Sequence, residues 1–522
     1  MTRKGVPKVR TGCLTCKKRR VKCDETRPAC KRCTSTGRNC DGYMPPPPGY
    51  MSWDRLLSSP VPSSPSSLPE ADDLELRSLA FYRHIVAPRL CGPLDSSFWT
   101  KLVAQMAYSE PATRHAVLAI SRLYEDFGHG DLSETTAARG ATRATTDVGS
   151  GGFVIHHYNA AISHLVGPPT SSPADLNTVL LVCILFTCIE FLRGDTESAI
   201  RHSQHGISLL NSGAGIRPEL VRVFRHLSIF PYFFGGQVSP IPPVLSDAQG
   251  AVKLDTLDDA LESLDGLLAR AVRLLRVSDH GHHHVGTGRE ARPLEPKLRD
   301  KETLEEDLDA WWPVFDQLRQ RSDVSEHTTT WTLLILEMRW TCCRIWARTC
   351  LAVGETIYDD DLDKFTRMVA LGTRATRLLE RERSGAPTNR TFMFVMGFCP
   401  LMFFVATKCR FLGLRLHALS LLRRLSYARE MLWDASTLYA IGKRIIEIEH
   451  GIGELMPEEA DGRGEMDADV PPPDEARVRD SGRRAREHVR VALSDLISAS
   501  CCDYSMAVLS IPIHRAWQRD NS

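Results

Sequence analysis

The sequence predicts a small metal-stabilised module near the N-terminus, followed by a large all-α helical domain. Three observations predict it: six regularly spaced cysteines between residues 13 and 40, a Pro/Ser-rich tract directly behind them, and apolar residues at helical spacing from Leu74 onward. A chain of 522 residues has room for such a pair, and 43 % hydrophobic with 25 % charged residues is the make-up of an ordinary soluble globular protein.

Charge divides the same way. The overall net charge of +1 hides a head, residues 1–40, with 13 Lys/Arg against only Asp24 and Glu25. The remaining chain is net acidic. A strongly basic head on an acidic body points to the head as the part that meets a polyanion. The stretch Met1 to Arg10 has no apolar run after its basic residues, so no secretory signal is expected. Sixteen cysteines then read as metal ligands and reduced core thiols, not as a disulfide framework. The apolar stretch Phe392 to Ala406 contains Gly397 and Pro400. It is shorter than the roughly 20 residues of a membrane span, so a buried core helix and no membrane partner are expected.

Along the chain, residues 1–12 form a basic arm and residues 13–40 the cysteine module. Pro45-Pro-Pro-Pro48, Ser58-Ser-Pro60 and Ser63-Ser-Pro-Ser-Ser67 make residues 41–73 an extended linker, since such composition buries no core. Residues 74–522 form the all-α domain. Its first helix carries Leu76, Leu79, Ala80, Arg83 and Val86 and is stopped by Pro88. Asp95-Ser-Ser97 caps the next, and Ser109-Glu-Pro111 starts another. Leu176 to Leu192 is apolar nearly all round, which marks a central buried helix; Gly194-Asp195 ends it and caps its successor. Further helices are expected near 256–277, 303–320, 328–352, 362–382, 391–425, 427–450 and 484–510, with loops near 128–152, 278–300 and 457–482.

The chemistry sits in Cys13-x2-Cys16-x6-Cys23-x6-Cys30-x2-Cys33-x6-Cys40. The pattern is a duplication at an offset of 17 residues. Two tetrahedral zinc ions need eight thiolate positions, and six cysteines supply them only if two bridge both metals. The pseudo-twofold makes Cys13 and Cys30 the natural bridges. Zinc then substitutes for a core too small to hold by itself. Only the first half is cationic after its Cys-x2-Cys: Lys17, Lys18, Arg19, Arg20 and Lys22 against Thr34-Ser-Thr-Gly-Arg-Asn39. That arm is the one placed against double-stranded DNA, neutralising phosphates and pairing with guanine O6 and N7 in the major groove.

At these residues the sequence resembles the fungal-type binuclear zinc cluster, through Cys13-Leu-Thr-Cys-Lys-Lys-Arg-Arg-Val-Lys-Cys-Asp24, Arg27-Pro-Ala-Cys-Lys-Arg-Cys33 and Gly37-Arg-Asn-Cys40. The resemblance implies bridging by the first and fourth cysteines, Cys13 and Cys30. It also implies base reading by Arg19 and Arg20, where many members carry Lys at the second position, a loop proline at Pro28, and recognition of CGG triplets. The body more loosely resembles the regulatory domain found behind many such clusters, at Phe81 to Leu90, Ser109 to Ala116, Val182 to Gly194 and Phe403 to Cys409. The function expected is a nuclear, sequence-specific transcription regulator of the RNA polymerase II type. Its partners are DNA and the transcription machinery, with any self-association through the C-terminal helical domain. The alternative is a protein-interaction scaffold whose cluster is purely structural. An enzyme is not expected, because no phosphate loop, nucleophile elbow or His-Glu-x-x-His helix occurs. Asp279-His-Gly-His-His-His284 reads as a solvated loop, the ten remaining cysteines as buried thiols, and Pro457 to Glu475 as an acidic loop.

Overall fold

The computed structural model describes residues 13–42 apart from 20, 22, 25, 27 and 28, then 73–92, 97–130, 148–166, 175–234, 253–282, 294–321, 327–352, 354–382, 390–455 and 470–478. The chain divides into two units, residues 1–72 and 73–522. In the small unit two short helices, α1 (Leu14–Lys18) and α2 (Lys31–Thr34), start alike. Each is preceded by a cysteine in extended conformation whose sulfur accepts a hydrogen bond from the backbone N–H three residues on. The internal repeat of the sequence is therefore a repeat of structure.

The large unit is helix packed on helix. Its first helix, α3 (Asp73–Phe81), does not stop at Pro88 as the sequence predicts. It passes through a π-helical turn (Tyr82–Val86) into α4 (Ala87–Leu90). A proline ring clashes with the carbonyl four residues back in an α-helix. Here the Ala87 N–H reaches Tyr82 O, five residues back, so the turn ahead of Pro88 is widened and the helix survives it. A second π-helical stretch (Phe98–Val103) leads into α5 (Ala104–Ser109). Pro111 then opens α6 (Pro111–Gly130), where a missing N–H costs nothing.

After α7 (Val148–Val166) comes α8 (Leu176–Arg193), buried almost throughout between α6 and the following α9 (Thr196–Ser212). Among the described residues α8 is the one helix long and apolar enough to cross a membrane by length and composition, and most of it is core. Its end follows the predicted punctuation. Gly194 takes φ 76° and returns its N–H to Glu190 O and Phe191 O, and Asp195 accepts from Ser198 N at 3.0 Å to start α9.

The second half of the body contains α10 (Pro218–Leu227), α11 (Pro231–Phe234), α12 (Leu257–His282), α13 (Leu294–Gln320), α14 (His327–Thr349) and α15 (Leu362–Glu382). Helices α6, α7, α12 and α13 run into the ends of the loops expected near 128–152 and 278–300. Of the loop expected at 457–482 the structure describes 470–478, with a 3-10 turn at Asp474–Ala476. The helix expected at 484–510 lies outside the described residues.

The segment 390–450 departs most from expectation. In place of two long helices it forms strand β1 (Phe392–Met393), α16 (Cys399–Lys408), α17 (Leu412–Leu425), strands β2 (Arg429–Glu430) and β3 (Trp433–Asp434), and α18 (Ala435–His450). β1 pairs parallel with β2, and β2 antiparallel with β3. Among the described residues the body is thus all-α apart from this three-stranded patch. Glu430 is the physical reason. Its buried carboxylate accepts from the N–H groups of Gly397 (2.8 Å), Cys399 (3.0 Å) and Tyr427 (3.2 Å), capping the start of α16. That arrangement needs extended chain at both 392–393 and 429–430.

Candidate metal centre and nucleic-acid interface

The two short helices of the small unit bring their cysteines together. One quartet is Cys13, Cys16, Cys23 and Cys30; the other is Cys13, Cys30, Cys33 and Cys40; within each, the four sulfurs lie inside 4.8 Å of one another. The quartets share Cys13 and Cys30, the pair that the pseudo-twofold singles out. The Sγ separations Cys13–Cys30 and Cys16–Cys30 are both 3.7 Å, and Cys13–Cys33 is 3.8 Å. These are too long for disulfides. A tetrahedron with zinc–sulfur bonds of about 2.3 Å has edges of roughly 3.8 Å, so the cradle has the size of a zinc site.

Electrostatics agrees with geometry. Cys13, Cys16, Cys30 and Cys33 are essentially without solvent contact. Burial pushes the Cys13 thiol up to about 12 and that of Cys30 higher still, so these sulfurs become thiolates only beside a compensating cation. Backbone donors are already aimed at them: Cys16 N–H at Cys13 Sγ and Cys33 N–H at Cys30 Sγ, each at 3.3 Å, and Cys13 N–H at Cys23 Sγ at 3.4 Å. The donor set fits two zinc ions, which Cys13, Cys16, Cys23, Cys30, Cys33 and Cys40 would hold. Bound there, the ions would supply cross-links in place of a hydrophobic core.

Two further residues lock the module, and neither stands out on a cysteine count. Asp24 accepts from the N–H groups of Lys31 (3.0 Å) and Arg32 (3.1 Å), tying the end of the first half to the start of α2. The Thr26 hydroxyl and these backbone donors hold its carboxyl well below the usual carboxylate range. Its sequence signal is an acid just after the third cysteine, ahead of a helix start. Thr15 closes the other end, its Oγ1 accepting from Asp41 N at 2.9 Å beside the Leu14 N–H to Gly42 O bond of 2.8 Å.

The cationic arm begins on α1. Lys17 and Lys18 occupy its last turn and are exposed, and Arg19 is its half-buried C-cap. Lys18 meets Asp41 across 3.9 Å on the open surface, a contact that constrains it little. Arg20, Lys22 and Pro28 lie outside the described residues. The other described cysteines belong to the second unit. Cys91, Cys188, Cys342, Cys343, Cys350, Cys399 and Cys409 are buried in the body and Cys183 is half-buried, while Cys501 and Cys502 fall outside the described residues.

Residues 11–50 match the family model of the fungal Zn(2)-Cys(6) binuclear cluster domain. Among curated proteins, the chain is 28% identical over 345 residues to the aspercryptin biosynthesis cluster-specific transcription regulator of Emericella nidulans, covering 59% of this chain and 54% of that protein. It is 28% identical over 205 residues to a transcription regulator of Purpureocillium lilacinum (37% and 47%). It is 34% identical over 127 residues to a Zn(2)-C6 fungal-type transcription factor of Aspergillus fumigatus (22% and 32%). The chain thus spans about half or less of the length of these relatives. A 345-residue alignment is far longer than the 72-residue first unit, so the first likeness extends into the helical body. No solved structure gives a significant match.

Proposed function

We propose, from the premise that residues 11–50 are a fungal Zn(2)-Cys(6) binuclear cluster domain, that this chain is a nuclear, sequence-specific DNA-binding transcription regulator and not an enzyme. The observation that carries the reading is the pair of quartets sharing Cys13 and Cys30, with the exposed Lys17 and Lys18 on the helix they anchor. The zinc-held fold fixes α1. Lys17, Lys18 and Lys22 then neutralise phosphates along one groove edge, and Arg19 and Arg20 reach base edges, with CGG-like triplets as the target. The helical body is the regulatory part and the seat of any self-association, and the transcription machinery is its partner.

The scaffold alternative differs in how binding responds to salt. Phosphate contacts release counterions, so the logarithm of affinity for duplex DNA falls linearly with the logarithm of salt concentration, and steeply. Fluorescence anisotropy of the zinc-loaded full chain on a labelled duplex measures this. A steep negative slope that vanishes after chelation supports the regulator. Salt-insensitive or undetectable binding supports the scaffold.

A further inference from the structure

We propose that Glu75, His115 and His157 form a second metal site in the helical body, one that takes a divalent transition ion of the zinc or nickel type. Each residue comes from a different helix: Glu75 from α3, His115 from α6 and His157 from α7. One donor atom from each lies within 4.8 Å of the other two. Two imidazoles and one carboxylate are the donor set that such ions favour. His157 is 2% exposed and its Nδ1 meets His115 Nδ1 at 2.8 Å, while its Nε2 faces Glu75 Oε1 at 3.8 Å. Two ring nitrogens at that distance share one hydrogen, so one ring donates and the other accepts.

Three further features suit the site to a metal. Burial, then the neighbouring histidines, lower His115 and His157 to about 4, so both rings are neutral at physiological pH and each keeps one unprotonated nitrogen. His164 stacks on His115 at 5.3 Å and His156 sits edge-on to His157 at 5.1 Å, leaving further imidazoles at the rim. Glu75 and His115 are only half-buried, which leaves a path from solvent on the α3 side. A bound ion would pin α3, the first helix of the body, to the α6–α7 pair. All three residues belong to the second unit.

The test uses the tag-free full chain with its zinc in place, titrated with Co2+ and followed by calorimetry and visible absorption. The proposal expects one further equivalent bound, with ligand-field bands and no thiolate charge-transfer bands, and higher thermal stability on loading. Glu75→Gln and His115→Gln should each weaken uptake at least about tenfold. Glu75 is half-exposed, so its variant keeps the fold and decides the matter should His115→Gln unfold. No uptake by the unmodified chain overturns the proposal. So does uptake that survives both variants, which would belong to the His280–His284 tract, and so does uptake that brings thiolate bands, which would belong to the cysteine centre.

Discussion

Cys13 and Cys40 are chemically the same side chain with different burdens. Cys13 belongs to both quartets and Cys40 to one. Cys13→Ala should therefore release both ions and abolish DNA binding, whereas Cys40→Ala should leave one ion partly held; metal content after dialysis, with anisotropy on the same samples, checks this. Equal losses would mean that the two halves are not joined by shared sulfurs. The basic arm divides by role in a similar way. Arg20→Ala should cost on the order of 1–3 kcal/mol and relax preference at one guanine position. Lys17→Ala should weaken all sequences alike and flatten the salt slope. Unchanged sequence preference in Arg20→Ala would remove it from the reading pair. In the body, burial pushes the Glu430 carboxyl up to about 7, against its three backbone donors. A folded-state value above the unfolded one means that the native protein binds the extra proton. The contribution is full below about pH 4 and is lost as pH rises through 7. Glu430→Gln should remove that slope, on the order of 3 kcal/mol between pH 4 and 8. Denaturant melts of both proteins across that range measure it, and parallel curves would show that Glu430 does not titrate there.

At the scale of elements, what the sequence reveals depends on how local the cause is. The cluster was legible because six cysteines at fixed spacing leave few geometries. α8 was legible because its burial is written all round its surface and Gly194-Asp195 punctuates it. The sheet at 392–434 was not, because its cause is a contact between Glu430 and backbone 31–33 residues away. Pro88 misled for a related reason: a proline signals that an α-turn is impossible, not that a π-turn will replace it. The His115–His157 pair was likewise invisible, since the two lie 42 positions apart with no shared motif. Composition also makes a prediction for residues 41–73. A zipper needs apolar a and d positions over at least three heptads, and this proline-rich stretch offers none. The fragment 1–73 should sediment as a monomer, with and without DNA carrying two triplets. A stable dimer, or a sharp optimum in triplet spacing, would contradict that reading.

At the scale of the whole molecule, the proposed reading head is basic and zinc-held and the helical body behind it is acidic. Under the proposed function the charge division matters because the body's acidity would disfavour its own approach to DNA and leave the polyanion to residues 1–40. Affinity would then come from phosphates and selectivity from the few side chains proposed to reach base edges. Selection from a random duplex library by the zinc-loaded full chain, sequenced over successive rounds, asks whether the zinc-loaded head reads sequence. Enrichment of a guanine-containing CGG-like triplet, lost when the protein is stripped of zinc, is the predicted result. A flat sequence distribution, or the same enrichment from zinc-free protein, would contradict it.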